Sequence, residues 1–301
     1  MTTTLALLAI LDGISYASLL FLVAVGLTLI FGVLGVLNVA HGSLYAIGAY
    51  MAATLGGWLV AQGWNPWWTF GALLVAALVT GIVVGGLIEA LLLRRIYGKD
   101  PVLQLLITFA VFMILENVQR MVWGVQPYFM SEPLRMLGNV NVLGIRYTAY
   151  QIIFLPAMAI LTLVGLRYFL RNTLAGASIV AVTEDREAAA SIGIDARRVY
   201  FVTFIIGACL AAMGGALATP TTSVLPGMGA NMIVLSFAVA ATAGLGNIEG
   251  ALLAALLIGL ARSFAIYIWP EAEVMMPYLI MVVILLWRPM GLFGIAQARK
   301  I

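Results

Sequence analysis

Apolar stretches of about 20 residues recur along the whole chain and are separated by short polar segments. A helix of about 20 residues is needed to cross the ~30 Å hydrocarbon core of a bilayer. The pattern predicts membrane-spanning helices over nine ranges: 5–31, 39–61, 69–93, 102–123, 148–170, 199–219, 231–248, 251–269 and 275–288. The number of spans is eight or nine, depending on whether residues 32–42 and 240–250 form loops or broken, re-entrant helices.

Composition places the chain among membrane proteins. Of its 301 residues, 64% are apolar and 9% are charged, whereas a soluble domain carries about 25% charged residues. The expected fold class is all-α: a polytopic transmembrane helical bundle, with residues 1–301 as a single transmembrane domain. The first residues lack a basic segment and a small-residue cleavage site, so no removable signal peptide is expected.

The basic residues predict the orientation, because lysine and arginine are enriched in cytoplasmic loops. Most of the 15 lysines and arginines fall in one set of loops: Arg94, Arg95, Lys99, Arg167, Arg171, Arg186, Arg197, Arg198, Arg288, Arg299 and Lys300. Three others lie on the opposite side: Arg120, Arg135 and Arg146. The charged loop at about 171–198 and the C-terminus are therefore expected to be cytoplasmic.

Residues 184–193 in that loop are interpreted as a short helix. Acidic residues stand near its N-terminal end, where the helix dipole favours them, and a glycine is placed to end it. The residues concerned are Glu184, Asp185, Glu187, Ala188, Ala189 and Gly193. Ile192 and Ile194 are expected to pack. Such a helix suits a groove in another protein, and a solvated connector between two spans is the alternative that the residues leave open.

Polar residues also interrupt the apolar spans. Asn38, His41 and Gly42 either bond to a neighbouring helix or face a water-filled path, because unpaired polar groups at that depth are costly. For His41 a structural hydrogen bond is favoured over substrate contact or gating. A second polar, glycine-containing interruption begins at Asn247, and the pair is a possible internal repeat of the kind found in transporters. Chance similarity between two glycine- and alanine-rich helices explains the two interruptions equally well.

Charged residues lie within two predicted spans. Glu116 and Arg120 are four residues apart, so they share a helix face and can pair. Together with Asn117 they are interpreted either as an interhelix pair or as lining of a translocation path. Arg262 is a second possible partner for Glu116. Glu249 is expected to reach out to the cytoplasmic interface.

The sequence contains no familiar enzymatic motif. It has no GxxxxGK[ST] loop for ATP phosphates and no GxSxG, and His41 is its one histidine. We therefore expect no catalytic residue, no metal site and no cofactor in this chain. The net charge of +3 reflects the loop bias and does not indicate a nucleic-acid partner.

Several blocks of the sequence resemble a known transporter family. The order Glu187-Ala188-Ala189, three residues, Gly193 is similar to the EAA loop that ABC-transporter permeases place on their ATPases. Five blocks are similar to the permease subunits of branched-chain amino-acid ABC importers, and to the H-type subunit in particular: Gly26–Tyr50, Tyr97–Glu116, Val180–Asp195, Ala243–Leu260 and Arg288–Gly294.

The resemblance implies a prokaryotic inner-membrane importer built from several proteins. Its partners would be a second homologous permease subunit, two ATPases that hold ATP and Mg²⁺, a periplasmic or surface solute-binding protein, the small amino-acid substrate and membrane lipid. Two other functions remain open from the residues alone. One is a stand-alone ion-coupled secondary transporter using Glu116 and Arg262, and the other is a non-transporting membrane scaffold.

Overall fold

The computed structural model describes residues 3–294, which are mostly helical. The α-helices are α1 Thr3–Leu34, α2 His41–Ala61, α3 Trp68–Val79, α4 Gly86–Leu91, α5 Pro101–Trp123, α6 Glu132–Leu137, α7 Leu155–Asn172, α8 Leu174–Glu184, α9 Arg186–Ser191, α10 Ala196–Ala218, α11 Met228–Ala243, α12 Ile248–Ile268 and α13 Met276–Trp287. A π-helical turn, Thr80–Gly85, joins α3 to α4, and another, Tyr150–Phe154, leads into α7. Strands β1 Asn139–Val142 and β2 Ile145–Thr148 form an antiparallel hairpin.

Within residues 3–294, seven helical stretches are long and apolar enough to cross a membrane, so the chain is a multi-pass membrane protein. They are Thr3–Leu34, His41–Ala61, Trp68–Arg95, Pro101–Trp123, Tyr150–Asn172, Ala196–Ala218 and Ile248–Ile268. The two remaining predicted spans are shorter helices, α11 with 16 residues and α13 with 12. Both stretches that the sequence left open contain breaks between helices, at residues 35–40 and 244–247.

Glycines decide where α11 begins and ends. The predicted range of 231–248 is wrong at its C-terminal end, because the helix stops at Ala243. Gly227 precedes α11 with φ of 89°, and Gly244 and Gly246 follow it with φ of 99° and 91°. Side chains disfavour positive φ, so glycine at these positions permits the turns that bound the helix. Apolar periodicity alone does not register such turns.

Helix α1 lies at the centre of the bundle. Every residue from Ala17 to Ile30 is buried, and α1 packs against α7, α10, α11 and α12. Glycines permit the close approach of these helices. A Cβ added to Gly26 would lie 2.6 Å from the carbonyl oxygen of Gly207 in α10, and one added to Gly259 would lie 2.9 Å from the carbonyl oxygen of Gly13.

The connection between α5 and α7 carries α6 and the hairpin, which the sequence pattern did not predict. The hairpin turns at Leu143 and Gly144, with φ of 50° and 89°. The hydroxyl groups of Tyr147 in β2 and Tyr267 in α12 both donate hydrogen bonds to the carboxylate of Asp12 in α1. These bonds fix the hairpin to two helices. Burial, the hydrogen bond to Asp12 and the charge of Asp12 raise the pKa of Tyr147.

Candidate coupling loop and polar interior

The predicted coupling segment folds as two helices, α8 and α9, between α7 and α10. Asp185 caps α9, because its Oδ1 accepts hydrogen bonds from the backbone N–H groups of Glu187 at 3.0 Å and Ala188 at 3.1 Å. The start of a helix leaves such N–H groups without intrahelical partners, and a carboxylate there also opposes the positive end of the helix dipole. The loop therefore presents a capped, preformed helix.

The short helix predicted over 184–193 has different bounds, Arg186–Ser191. Glu184 ends α8 instead, because the extended backbone of Asp185 terminates one helix and caps the next. Gly193 adopts the predicted left-handed conformation, with φ of 89°. The packing expected of Ile194 is confirmed, whereas that of Ile192 is wrong: its side chain is 76% exposed.

Helix α9 has one packed face and one open face. Ala189 is buried, while Glu187 and Ala188 are exposed. Ala189 belongs to an apolar cluster that α8 and α10 complete with Ile179, Val182, Val199 and Tyr200. Residues near the ends of α1 and α7 pack against the same cluster: Val33, Leu34, Phe169 and Leu170. The loop therefore rests on three long helices and leaves the residues of the EAA motif partly open.

A buried carboxylate lies beside this loop, and sequence reasoning missed it. The side chain of Glu89 in α4 has no exposed surface. Arg94 Nη2 lies 3.2 Å from Glu89 Oε2, and the hydroxyl of Tyr97 donates a hydrogen bond to Glu89 Oε1 at 3.2 Å. The available signal was a carboxylate inside the apolar range 69–93, where a charge requires a partner.

Aromatic contacts continue from this carboxylate to α9. The ring of Tyr97 packs edge-on against Tyr200 with 5.1 Å between centroids, and the guanidinium of Arg186 lies 5.6 Å from the centroid of Tyr200. Burial, the charge of Glu89 and the hydrogen bond to it raise the pKa of Tyr97. Tyr97 therefore remains a hydrogen-bond donor at neutral pH, and a continuous set of contacts joins the first residue of α9 to Glu89.

Three of the predicted site residues lie at the break between α1 and α2. His41 is fully buried, and its Nε2 lies 3.0 Å from the carbonyl oxygen of Val23, which is the structural hydrogen bond favoured from the sequence. Both amide atoms of Asn38 are buried, with no hydrogen-bond partner among the described residues. Gly42 packs against α11, where an added Cβ would lie 2.8 Å from the Cβ of Ile233.

The predicted pair on α5 is confirmed. Arg120 Nη2 lies 2.6 Å from Glu116 Oε1. The alternative pairing of Glu116 with Arg262 is wrong, because Arg262 forms an ion pair with Glu273. Its guanidinium carbon also lies 4.0 Å from the ring centroid of Tyr16 in α1. Arg262 thus contributes to packing between α1 and α12, with an aromatic face and a carboxylate as its partners.

Glu116 lines a cleft between α2, α5 and α11. The residues around it are Ser43, Ala46, Phe112, Glu116, Gln119, Gly227, Gly229 and Ala230. Asn117 is absent from this lining: it is exposed, and its Nδ2 donates to the carbonyl oxygen of Met113 at 2.8 Å. Most of α5 is uncovered, since 22% of its apolar stretch is buried.

Asn247 has a capping position at the start of α12. Its Oδ1 accepts from the backbone N–H of Gly250 at 2.7 Å, and its Nδ2 donates to the carbonyl oxygen of Phe293 at 3.2 Å. Both the oxygen and the nitrogen of the Asn247 amide are therefore hydrogen-bonded. Asn247 does not line the cleft beside Glu116. Asn38 and Asn247, which the sequence pairs as a possible repeat, therefore differ in their local geometry.

Glu249 follows in the first turn of α12, and its side chain is 57% exposed. Arg167 Nη1 lies 2.9 Å from Glu249 Oε1, and Arg171 Nη2 lies 3.9 Å from the same oxygen. Exposure and basic partners agree with the expected reach toward the membrane surface. The pairs also place the start of α12 beside the end of α7.

Comparisons with known proteins cover nearly all of these elements. Residues 9–285 match the family described as branched-chain amino acid transport system permease component. The chain is 27% identical to the high-affinity branched-chain amino acid transport system permease protein LivH of Escherichia coli strain K12, over 96% of each chain. It is 29% identical to the probable branched-chain amino acid transport permease protein LivH of Methanocaldococcus jannaschii, over 95% of this chain and 92% of that one. Its fold is similar to a chain of PsaBC from Streptococcus pneumoniae, solved in complex with Fab, with a TM-score of 0.50, 12% identity and coverage of 90% and 89%.

Proposed function

We propose that this chain is a membrane-spanning subunit of an ATP-driven importer, because it belongs to the branched-chain amino acid transport system permease family. Its cargo is branched-chain or related amino acids delivered by an external solute-binding protein. In this proposal the chain holds no cofactor, and two partner ATPase subunits bind ATP and Mg²⁺ and carry out hydrolysis. A second, homologous permease subunit completes the path.

The observation that carries the proposal is the capped, exposed helix α9. Its outer face offers Glu187 and Ala188 to a partner, and Ile192 adds an apolar side chain that is 76% exposed. An apolar residue with that exposure beside a short helix suits a protein contact better than a solvated connector. We therefore assign ATPase coupling to the residues of this loop: Glu184, Asp185, Glu187, Ala188, Ala189 and Gly193.

The packing of α8 and α9 supports a lever mechanism. The buried face of α9 belongs to the cluster that joins the ends of α1, α7 and α10. When the ATPases close, displacement of the loop would rotate α7 and α10, the spans on either side of it. Such coupling requires contacts that differ between two states. The Arg186–Tyr200–Tyr97–Glu89 contacts give the loop a further attachment to α4.

We place the translocation path along α5 and the break before α2. Polar groups in these segments lie in apolar surroundings. In membrane proteins such groups are either paired or accessible to water. The candidates are Asn38, His41, Gly42, Glu116 and Asn117. Asn247 was a further candidate from the sequence, but its hydrogen bonds favour a capping role.

The orientation follows from the same loop. Arg94 is connected to α9 through the contacts of Glu89, Tyr97 and Tyr200. Arg167 and Arg171 pair with the start of α12. Because basic residues collect at this end of the bundle, we propose that it faces the cytoplasm of a prokaryotic cell, with the chain in the inner membrane. The cytoplasmic C-terminus inferred from Arg299 and Lys300 lies outside the described residues.

An ion-coupled transporter acting alone is the less favoured function. That function would require Glu116 and Arg262 to form one coupling site. These residues belong to different ion pairs, Glu116 with Arg120 and Arg262 with Glu273.

The experiment is reconstitution of the full complex in liposomes, with its ATPases and binding protein. Glu187→Lys reverses one charge on the open face of α9 and should abolish leucine uptake and substrate-stimulated ATP hydrolysis, while membrane insertion remains intact. Glu271→Lys, at an exposed site between α12 and α13, is the matched control and should leave both activities unchanged. Normal stimulated hydrolysis by the Glu187→Lys complex would refute ATPase coupling through α9.

A further inference from the structure

Two helices begin at one place inside the bundle. Helix α2 starts at His41, whose imidazole contacts the buried middle of α1 at Val23. Helix α11 starts at Met228, and Gly229 in its first turn packs against Gly42 of α2. Helix starts within a membrane domain direct backbone N–H groups and the positive ends of helix dipoles toward the interior.

The start of α11 opens onto the cleft already described. Gly227, Gly229 and Ala230 line it from α11, Ser43 from α2, and Glu116 and Gln119 from α5. No side chain of the described residues caps α11. The backbone N–H of Gly229 has no hydrogen-bond acceptor within the part of the chain that the structure describes. The start of a 16-residue helix, with a backbone N–H group that lacks an acceptor, is a favourable position for an anionic group.

Gln119 is the second observation that points to a ligand. Its side chain lines the cleft and is 98% buried, being 2% exposed. Among residues 3–294 it has no hydrogen-bond partner, although a primary amide offers two donors and an accepting oxygen. Burying an amide without partners costs about 1–3 kcal/mol in proteins. A polar ligand in the cleft would satisfy it.

The cleft also carries a carboxylate close to the helix start, and its ion-pair partner lies outside the cleft. Glu116 lies one helical turn before Gln119 on α5, and its side chain is 16% exposed. Its partner Arg120 is 49% exposed and does not line the cleft. The cleft thus has the carboxylate of Glu116 on the α5 side and the free backbone N–H of Gly229 on the α11 side. This arrangement matches a molecule that carries both an ammonium and a carboxylate group.

We infer that this cleft binds the charged backbone end of an α-amino acid. The ligand's carboxylate accepts hydrogen bonds from the start of α11 and the amide of Gln119, and its ammonium group donates to Glu116. The inference rests on the proposed function, since it names the site at which an amino-acid permease would hold its cargo. The apolar side chain of the ligand would extend along Phe112 and Ala46, which line the same cleft.

The present conformation is closed. The lining residues leave a gap too narrow for a water molecule, and the hydroxyl of Ser43 reaches the carbonyl oxygen of Phe112 at 3.4 Å across it. The inference requires α5 to move away from α2 and α11, and α5 packs mainly against α2 with little of its surface buried. The ligand therefore binds the state in which α5 has moved away from α2 and α11.

The first test measures uptake by the reconstituted full complex. Glu116→Gln and Gln119→Leu should each lower leucine uptake per ATP hydrolysed by roughly tenfold, the effect of losing one hydrogen bond to a charged group. Arg120→Gln removes the ion-pair partner outside the cleft, and Met121→Leu changes a residue of α5 that is 85% exposed. Both should stay within about twofold of the parent complex.

The second test measures binding without the solute-binding protein. Ala230→Cys, in a Cys209→Ala background, places a thiol in the cleft of the full complex. Leucine should slow its reaction with a polar thiol reagent, while 4-methylpentanoate and 3-methylbutylamine, which each lack one charged group, should not at the same concentration. Glu116→Gln should remove the protection by leucine.

The outcomes separate this inference from the proposed function. If the parent complex transports no branched-chain or related amino acid, the proposed function fails. If it transports leucine but Glu116→Gln and Gln119→Leu match it, or if Arg120→Gln loses as much as Glu116→Gln, the cleft is not the binding site. Equal protection by leucine and by either analogue that lacks a charged group would also overturn recognition of both charged groups.

Discussion

The hydroxyl of Tyr97 donates a hydrogen bond to Oε1 of Glu89, a carboxylate that solvent does not reach. The two residues belong to different elements: Glu89 to α4, and Tyr97 to the turn that precedes α5. Because Tyr97 also packs on Tyr200 of α10, it joins three parts of the chain at the end of the bundle where α9 lies.

Removal of this hydroxyl should destabilise the protein. Tyr97→Phe retains the ring that packs on Tyr200 but leaves one oxygen of a buried carboxylate without its donor. We expect the free energy of unfolding in detergent to fall by about 1–3 kcal/mol. Tyr168→Phe, on an exposed site of α7, is the matched control and should change it by less than about 0.5 kcal/mol. Equal losses in the two variants would contradict the importance of the Glu89 bond.

Close helix packing gives a second prediction. A Cβ at Gly48 of α2 would lie 2.6 Å from the Cα of Ala212 in α10, whereas a Cβ at Gly165 of α7 would meet no atom within 4 Å. Gly48→Ala should therefore lower the free energy of unfolding by about 1–3 kcal/mol through overpacking. Gly165→Ala should raise it by about 0.5–1 kcal/mol through helix propensity. Thermal melting in detergent distinguishes the opposite signs, and destabilisation by both changes would refute the packing argument.

The pH dependence of stability should reveal the contact between the hairpin and α1. The pKa of Tyr147 is raised above its ordinary value of 10.0 in the folded protein. Its stabilising contribution is therefore complete below pH 10 and is lost as the pH rises above that value, because the unfolded chain ionises first. The melting temperature should fall more steeply above about pH 10 in the parent protein than in Tyr147→Phe. Parallel curves would contradict this assignment.

The cap of α9 can be tested by hydrogen exchange. Asp185→Ala removes the acceptor for two backbone N–H groups and should reduce local helix stability by about 0.5–2 kcal/mol. The amides of Glu187 and Ala188 should then exchange roughly 2–30 times faster. Asp185→Asn keeps a good N-cap and should retain most of the protection. Identical exchange in the two variants would show that capping by Asp185 does not order the loop.

Much of the helical framework was accessible from the sequence, because local signals defined it. The prediction of 102–123 agrees with α5, Pro101–Trp123, where Asp100 caps the helix and proline follows it. The glycine stop at Gly193 was also correct, since a helix followed by glycine has few other conformations. These features depend on residues close in the chain.

Features that depend on distant partners were not accessible. Nothing near Arg262 in the sequence separates Glu116 from Glu273 as its partner, and the fold alone decides between them. The hairpin has strands of four residues, too short for a clear alternating pattern, and it is held by Asp12 from the other end of the chain. The meeting of Gly42 with Gly229 likewise required the tertiary arrangement of α2 and α11.

Cross-linking of α9 to the ATPases tests the central claim most directly. Ala188→Cys, in a Cys209→Ala background, places one thiol on the open face of α9 in the reconstituted full complex. Leu143→Cys places it at the hairpin turn, where the leucine is 87% exposed, as the control. The account predicts that a short thiol-directed cross-linker joins Ala188→Cys to an ATPase subunit, while Leu143→Cys reacts only with reagents added outside. Modification of Ala188→Cys from the outside, with no cross-link to an ATPase, would contradict it.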